Sequence, residues 1–508
     1  MRTRALLVAG VVVAAMLVPV TAASAVDDVN TNKLRKSVTV SGILAHERVL
    51  QRIANNNGGT RASGTAGYAA SADYVKKELK KAGYKVTEQA FEFPFYQEVT
   101  PTTLSQVSPS SIPYETESMQ YSGSGAVTGT LVVTLNVVVP ATPEPSSASG
   151  CAVADFVPAS ATVPQVALIQ RGTCTFAVKV ANAVAAGYDA AVLFNEGNPG
   201  RTDLLTGTLG DPAAIPVVGI SYADGVALYN ATVAGATSVA VSTEIINETR
   251  TTTNIIADSP KGDPAKTVVV GAHLDSVLEG AGINDNGSGT SVILETAIQM
   301  QNLKIKPRQQ VRFAFWGAEE SGLLGSTHYV DSLTDEQLST IYANLNFDML
   351  GSTNYVRFVY DGDGSTDGVA GPPGSAQIES VFNDYFATQG LASAPTTFDG
   401  RSDYGPFIAA GIPAGGLFSG AEDLKTAEEA TIYGGTAGAP YDACYHQACD
   451  DVNNLSTAAL NELGDAAAHA VMTLATSKSG FFEDGSRRAA RPEISKDSFE
   501  YWGSGLVR

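Results

Sequence analysis

Short apolar runs alternate with amphipathic stretches through the second half of the chain. Runs rich in β-branched and aromatic residues predict strands at 267–271, 310–316 and 344–347. Helical periodicity predicts helices at 290–303, 323–333 and 457–474. Alternating strands and helices are typical of a parallel sheet that is covered on both faces. We therefore predict an α/β fold with a mixed, mostly parallel sheet and helices on both faces.

The first half of the chain has a different organisation. Residues 42–53 and 67–83 have helical periodicity, and residues 85–93 alternate like a strand. A Ser/Thr/Pro-rich stretch at about 96–119 looks like a connection. The block that follows has its own pattern of strands and helices but no cluster of His or Glu, with strands predicted at 127–139, 165–170, 190–195 and 215–220 and a helix at 176–187. This block is expected to form a separate unit.

Residues 1–25 have the features of a secretory signal peptide. Two arginines precede an apolar run at 5–18, and the small-x-small motif Ala-Ser-Ala follows at 23–25. A membrane anchor is the alternative, but the run is shorter than the ~20 residues of a spanning helix. We predict a secreted, extracellular protein whose mature chain starts at Val26. Residues 478–508 are polar and rich in Arg, Ser and Gly, which predicts a disordered tail.

The net charge of the chain limits which macromolecules it can bind. The 508-residue chain exceeds one ordinary domain and carries a net charge of −20. An acidic surface is repelled by nucleic acid and by anionic membranes, so neither is expected as a partner. We expect the protein to be a monomer.

The four cysteines fall into two groups, Cys151 with Cys174 and Cys444 with Cys449. An exported protein meets oxidising conditions, so two local disulfides are the natural interpretation, with four free thiols as the alternative. A zinc site of four thiolates is disfavoured because the sequence has no C-x-x-C pair. Since the chain has only five histidines, a histidine-rich metal site is also excluded.

Residue types that commonly bind metals follow each of the three apolar strands predicted in the second half of the chain. The first strand runs into His273, the second into Glu319 and Glu320, and the third into Asp348. In an open α/β sheet, ligands bind at the carboxyl ends of the strands. We therefore expect these side chains to meet in one crevice.

Two loops add candidate ligands. Asp285 lies in the Gly/Asn-rich segment 282–287, which opens a helix and also suits a turn with an N-cap. His446 lies between Cys444 and Cys449, and a disulfide across this tight loop would hold its imidazole rigidly. An ordinary surface histidine is the alternative for His446.

Several motifs together resemble those of the bacterial secreted double-zinc aminopeptidases of the leucine type. They occur in the family's order, within residues 40–95 and 250–475, and read GAHLDS, GINDNGSG, FWGAEESGLLGS, NFDMLGS, GRSDYGPF and CYHQACD. RGTCTF at 171–176 and AVAAGYDAAVLFN at 183–195 are similar to a protease-associated (PA) domain. The resemblance implies a phosphorylase/hydrolase-like zinc peptidase domain at 36–110 and 250–477, with a PA-like insertion at 120–248.

The resemblance also implies a role for each motif residue. His273 and Asp348 would bind one zinc, and Glu320 and His446 would bind a second. Asp285 would bridge the two zinc ions of the subunit, with a water between them. Glu319 would act as general base, and Tyr445 would donate a hydrogen bond to the scissile carbonyl oxygen. Arg401 and Phe418 resemble residues of the substrate pocket.

Neighbouring residues are candidates for orienting these ligands. Asp275, two residues after His273, could accept the other ring N–H of that imidazole. Ser402 could orient His446 or merely cap a loop. Since neighbouring side chains of an extended chain diverge, Glu319 and Glu320 need a bend to reach one site, and we expect Gly317 to supply it. Relatives often have His where this chain has Tyr404, a position outside the ligand set.

The expected activity is removal of N-terminal residues, large apolar ones above all, from peptides or proteins with free N-termini. A zinc carboxypeptidase of the same fold is the first alternative. It would need several arginines for substrate carboxylates, and only Arg401 lies near the motifs. A catalytically inactive binding protein is the second, disfavoured because every ligand position is intact.

Overall fold

The computed structural model describes residues 29–478, so the predicted signal peptide and nearly all of the predicted tail lie outside the described residues. Within 29–478, none of the helices combines the length and apolar character that crossing a membrane requires. The helices are α1 Asn32–Arg35, α2 Val40–Asn56, α3 Ala66–Ala82, α4 Phe176–Ala185, α5 Tyr222–Ala234, α6 Gly289–Asn302, α7 Leu324–Asp331, α8 Asp335–Thr340, α9 Ser375–Thr388, α10 Gly405–Ala409, α11 Ala427–Tyr433 and α12 Thr457–Thr476.

The strands form two groups, and two long strands take part in both groups. They are β1 Lys85–Ser108, β2 Ile112–Tyr114, β3 Glu117–Ser118, β4 Gly125–Val133, β5 Gln165–Gln170, β6 Ala190–Phe194, β7 Val217–Ile220, β8 Ser238–Asp258, β9 Asp263–His273, β10 Gln309–Trp316, β11 Ile341–Phe347, β12 Phe358–Tyr360, β13 Ala394–Thr396 and β14 Ala414–Phe418. We call the part formed by residues 109–237 the insert and the rest the main unit.

The main unit is built on a mixed sheet in the order β13-β12-β14-β11-β9-β10-β8. The central strands β14, β11, β9 and β10 are parallel. β8 runs antiparallel to β10, and β12 runs antiparallel to β14 but parallel to β13. Every residue of β11 is buried, as expected for a strand covered on both faces. The predicted fold class is confirmed.

Helices cover both faces of this sheet. On one face α2, α3, α6, α9 and α12 pack against it through residues such as Leu50, Val75 and Leu463. On the other face Trp316 of β10 packs with Tyr329 of α7 and Phe407 of α10. Both layers bury continuous apolar surface, which is the main stabilising contribution in such a fold.

The insert has its own sheet, in the order β4-β5-β6-β7-β3. Strands β4 to β7 are parallel, and β3 pairs antiparallel with β7. Helix α4 packs on one face through Phe176 and Val180, and α5 packs on the other through Leu228. The separate strand–helix unit predicted for this block is present.

A two-stranded ribbon joins the two units. β1 and β8 pair antiparallel from Lys85 opposite Asp258 to Ser108 opposite Ser238. The first half of β8 also pairs with β4, and its last residues pair with β10. The connection expected at 96–119 is therefore wrong for residues 96–108, which continue β1. Pro101 misled the prediction because it falls in a register shift, where no ladder hydrogen bond is required.

Candidate active site

Three strand ends meet at one edge of the main sheet, as the sequence predicts. His273 is the last residue of β9 and lies opposite Trp316, the last residue of β10. Glu319 and Glu320 follow β10, and Asp348 directly follows β11 on the other side of β9. The parallel strands thus bring four predicted site residues to one crevice.

Two histidines share one carboxylate in this crevice. His273 Nε2 lies 3.1 Å from Asp285 Oδ1 and 3.2 Å from Asp348 Oδ1. His446 Nε2 lies 3.2 Å from Asp285 Oδ2 and 3.2 Å from Glu320 Oε2. The two oxygens of Asp285 therefore each face a different imidazole. The arrangement forms two donor sets that meet at Asp285.

The donor sets suit divalent metal ions. Two ligands of one tetrahedral zinc, each bound at ~2.0–2.2 Å, lie ~3.2–3.6 Å apart, close to the distances observed here. Glu320 Oε1 is buried and accepts no hydrogen bond from the described residues. Donor atoms of His273, Asp285 and Glu320 all lie within 4.8 Å of one another, and so do those of His273, Glu319 and Asp348. The residues present therefore fit two neighbouring cations.

The electrostatics of the site favour bound cations. Burial raises the pKa of Glu319 well above its usual range and that of Glu320 to about 7, each against the lowering effect of a histidine. Burial lowers the pKa of His446, but Glu320 and Asp285 outweigh that effect and raise it to about 11. Clustered buried carboxylates make the ionised state costly unless positive charge accompanies them.

The chain bends over residues 317–319, directly after β10, and Ala318 in this bend has a left-handed φ of 53°. The bend therefore begins at Gly317, as expected. Glycine is required there for space, because a Cβ would lie 2.5 Å from Tyr68 Oη and 2.9 Å from the Thr253 carbonyl oxygen. Hydrogen bonds fix the turn, since the Ala318 N–H donates to Ser63 Oγ at 2.7 Å.

Of two further ligand candidates, Asp348 lies next to a left-handed residue and His446 is left-handed itself. Met349, directly after Asp348, has φ 50°, and His446 itself has φ 55°. Non-glycine residues in this region are strained and concentrate at functional sites. The Cys444–Cys449 disulfide closes the loop around His446, and the Tyr445 ring stacks on the imidazole at 3.8 Å between centroids. This disulfide is confirmed.

The second disulfide, Cys151–Cys174, lies in the insert and is also confirmed. It ties the segment before a short 3₁₀ turn, Val153–Asp155, to the N-terminal end of α4. Lys179 of α4 is buried beside it and donates to the Ser149 carbonyl. The insert disulfide is thus remote from the crevice and structural in character.

Asp275 and Ser402, the two residues expected to orient metal ligands, contact different ligands. His273 Nδ1 faces Asp275, at 3.2 Å from its carbonyl oxygen and 3.6 Å from Oδ1. Ser402 donates to Asp348 Oδ2 at 2.6 Å and accepts from Asn346 Nδ2 at 2.8 Å. The expectation that Ser402 orients His446 is therefore wrong. Ser402 lies before α10, and these two hydrogen bonds hold it at the end of β11.

The crevice opens into a cleft of about 500 Å³. Arg401 and Phe418 both line it, together with Tyr445. Arg401 Nη2 donates to Tyr445 Oη at 3.3 Å and lies 2.9 Å from Glu422 Oε1. The apolar part of the lining is formed by Leu323, Met349, Tyr360, Phe418 and Ala421. The cleft thus combines apolar walls with a strongly acidic floor.

Asp450 and Arg61 support the ligand loops and were missed by the sequence analysis. Asp450 accepts the main-chain N–H groups of Asn284 and Asp285 at 2.8 and 2.9 Å. The sequence could have indicated Asp450, because it is the last residue of the motif CYHQACD. Arg61 is fully buried and donates to three carbonyl oxygens, those of Leu274, Ala281 and Gly282. It therefore ties the His273 loop to the Asp285 loop.

Replacing Arg61 with leucine is expected to destabilise the protein by about 3–5 kcal/mol. The change leaves three carbonyl oxygens without their donor and removes the cation nearest the buried Glu47. Urea unfolding of the two proteins measures the difference. Arg52→Leu is the matched control, since Arg52 is exposed on α2 and should change stability by less than ~0.5 kcal/mol. Equal unfolding midpoints for Arg61→Leu and the unsubstituted protein would contradict the role of Arg61 as a clamp.

Known proteins share both units of this chain. Residues 254–471 match peptidase family M28, and residues 127–228 match the PA domain. An aminopeptidase of Pseudomonas aeruginosa is 42% identical over 490 residues, covering 94% of this chain and 89% of the relative. Leucine aminopeptidase 2 of Arthroderma otae is 38% identical, covering 89% of this chain and 88% of the relative.

One of the solved structures that are similar to this chain is also an aminopeptidase. The zinc aminopeptidase of Bacillus subtilis superposes with a TM-score of 0.59 at 26% identity, covering 89% of this chain and 98% of that one. The extent of these matches, across the main unit and the insert together, is larger than a shared fold alone would give. The chain belongs to peptidase family M28 and carries a PA domain as its insert.

Proposed function

We propose that the protein is a secreted zinc aminopeptidase that removes single N-terminal residues, preferably large apolar ones, from peptides. The observation that carries the proposal is Asp285 between His273 and His446, with Glu319 beside them. The relatives named aminopeptidase and leucine aminopeptidase 2 support the reaction, and the Bacillus subtilis enzyme supports the metal.

His273 and Asp348 would hold one zinc ion, Glu320 and His446 the other, and Asp285 both. When bound, the two ions would polarise the scissile carbonyl and lower the pKa of an attacking water. Asp275 and Ser402 would keep the first set in place, because they contact His273 and Asp348 respectively. Such supporting contacts typically change metal affinity by ~10–100-fold.

Glu319 is suited to the role of general base. Its Oε2 lies 3.9 Å from His273 Nε2, beyond hydrogen-bond distance, so the carboxylate is left available to a water molecule. The burial that raises its pKa also makes it a stronger proton acceptor. Glu319 would take the proton of the attacking water and deliver it to the leaving amine.

Tyr445 is suited to stabilising the charge that develops on the carbonyl oxygen. Burial raises the pKa of its phenol well above the usual range, so the hydroxyl stays protonated and able to donate. Arg401, hydrogen-bonded to that hydroxyl, would hold it toward the substrate. The stack on His446 fixes the ring from its other side.

The lining of the cleft favours an amine over a carboxylate as the recognised terminus. Among the described lining residues, Arg401 is the one Lys or Arg side chain, and Glu422 already pairs with it. Carboxylates surround the rest of the floor, which suits a cationic α-amine. This argues for the aminopeptidase over a carboxypeptidase, and the apolar walls favour leucine-like first residues.

We also propose that the enzyme acts outside the cell. Two disulfides and the predicted signal peptide support an extracellular enzyme. The net charge of −20 supports peptides with free N-termini as its partners, without nucleic acid or membrane. We propose that it acts as a monomer, since each subunit carries a full set of candidate ligands.

Acetylating the substrate's α-amine is expected to remove most of the activity. The change deletes the positive charge and adds bulk where the acidic floor would receive the amine. Mass spectrometry of a leucine-initiated peptide, free and acetylated, should show single residues leaving from the N-terminus of the free form alone. Residues leaving from the C-terminus, or equal cleavage of both peptides, would replace the proposal with the carboxypeptidase alternative.

A further inference from the structure

The arginine that contacts the Tyr445 hydroxyl is itself held by a carboxylate. Arg401 Nη2 donates to Tyr445 Oη at 3.3 Å, and the same nitrogen lies 2.9 Å from Glu422 Oε1. All three side chains line the cleft that contains the candidate metal ligands. Glu422 is therefore linked to Tyr445 through the guanidinium of Arg401.

The contact with Arg401 determines what the Tyr445 hydroxyl can do. A guanidinium has donors but no acceptor, so the tyrosine oxygen accepts here and its own proton takes no part in the contact. Among residues 29–478, Arg401 is the one hydrogen-bond partner of this hydroxyl. Because the stack on His446 fixes the plane of the ring, the guanidinium decides on which side of the oxygen the proton lies. That side is the one facing away from Arg401.

The main chain is anchored at both ends of the Arg401–Glu422 ion pair. The Arg401 N–H donates to Asp399 Oδ1 at 3.0 Å. The residue before Glu422 is tied to the segment that leads into the disulfide loop, because the Asp442 N–H donates to the Ala421 carbonyl oxygen at 2.8 Å. Between these anchors, the ion pair with Glu422 fixes the far end of the long arginine side chain.

This ion pair is not expected to contribute much to folding. The Arg401 and Glu422 side chains are 40% and 49% exposed. Ion pairs at such exposure contribute little to stability, because water screens the charges and ordering two long side chains costs conformational entropy. An effect of Glu422 on activity can therefore be measured separately from an effect on the fold.

We propose that Glu422 is a positioning residue, which holds the Arg401 guanidinium so that the Tyr445 hydroxyl directs its proton to the scissile carbonyl oxygen. This inference rests on the proposed aminopeptidase function. Glu422 acts through Arg401 and Tyr445 and does not itself contact the substrate.

The first measurement is kcat and KM for a leucine arylamide on the full-length, metal-loaded enzyme. Glu422→Gln removes the charge that holds Arg401, so kcat should fall by about three- to tenfold, the usual worth of one hydrogen bond. KM and bound metal should stay unchanged, and so should Tm, because the ion pair is exposed. Glu422→Ala removes the whole contact and should lower kcat at least as much.

A double-mutant cycle with Tyr445→Phe separates positioning from a general loss of charge in the cleft. Without the hydroxyl there is nothing left to position, so adding Glu422→Gln to Tyr445→Phe should cause no further loss of kcat. A carboxylate that bound the α-amine would instead raise KM when removed, and its effect would persist in Tyr445→Phe. Either of these results, or an unchanged kcat in both Glu422 variants, would overturn the inference.

Glu428→Gln is the matched control. Glu428 is exposed on α11 and lies outside the cleft lining, so the same loss of charge should leave kcat and KM unchanged. A lack of N-terminal cleavage by the unsubstituted enzyme would instead refute the proposed function.

Discussion

Glu319→Gln is expected to lower kcat by about 10²-fold or more while the bound metal content stays unchanged. Glutamine keeps the shape of the side chain but cannot accept the proton of the attacking water. Glu319 Oε2 lies 3.9 Å from His273 Nε2, beyond hydrogen-bond distance, so the substitution breaks no hydrogen bond to that histidine. Steady-state kinetics on a leucine arylamide, with elemental analysis of the same preparation, measures both quantities.

Glu320→Gln is the matched comparison, and it should lose metal as well as activity. Its Oε2 lies 3.2 Å from His446 Nε2, and its Oε1 is buried with no hydrogen-bond partner within residues 29–478. The comparison is needed because donor atoms of Glu319 also lie within 4.8 Å of those of His273 and Asp348. Near-normal turnover of Glu319→Gln would place the base elsewhere, and metal loss from it would make Glu319 a ligand.

The main-chain scaffold of the site follows from the sequence because it depends on short-range pattern. Apolar runs that end in His273 and Asp348 predict strands, and the parallel arrangement then brings their carboxyl ends together. This reasoning needs no knowledge of side-chain packing. It fixes which segments meet in the crevice, but it does not fix the orientation of any side chain there.

The errors arise where packing between distant elements decides the outcome. Ser402 contacts Asp348, which lies 54 residues earlier in the chain, and no local pattern contains this proximity. The bend at Ala318 is set by hydrogen bonds to Ser63 and Asp275, more than 40 residues away in the chain. A glycine is the usual residue at a left-handed φ, so propensity does not identify Ala318 as the left-handed residue of this bend.

Arg61 could not be predicted for a related reason. An arginine after a helix is usually a solvated charge, and only the fold buries it against carbonyl groups of two loops. Arg61 acts across a loop boundary, where periodicity gives no information.

Removing the metal is expected to abolish hydrolysis, and adding zinc should restore it. All five candidate ligands offer oxygen or imidazole nitrogen donors, and a chelator in excess competes with such ligands for zinc. Activity after dialysis against chelator, followed by titration with zinc, measures the requirement, and elemental analysis counts the ions. We expect activity to return as the content approaches two zinc ions per chain. Full turnover by a preparation that elemental analysis finds to be metal-free would refute the zinc proposal.

Thermal unfolding of the same samples separates a preformed site from one that the metal assembles. Arg61 and Asp450 hold the loops around Asp285 through contacts that involve no metal, so the chelated protein should stay folded. Zinc binds only the folded chain, and at about 100 times its Kd it should add about 2.7 kcal/mol to the free energy of unfolding. His446→Ala, which removes an exposed imidazole from one donor set, should reduce both the zinc count and this stabilisation. A chelated protein that is unfolded before heating would mean that the metal, and not the network of Arg61 and Asp450, organises the crevice.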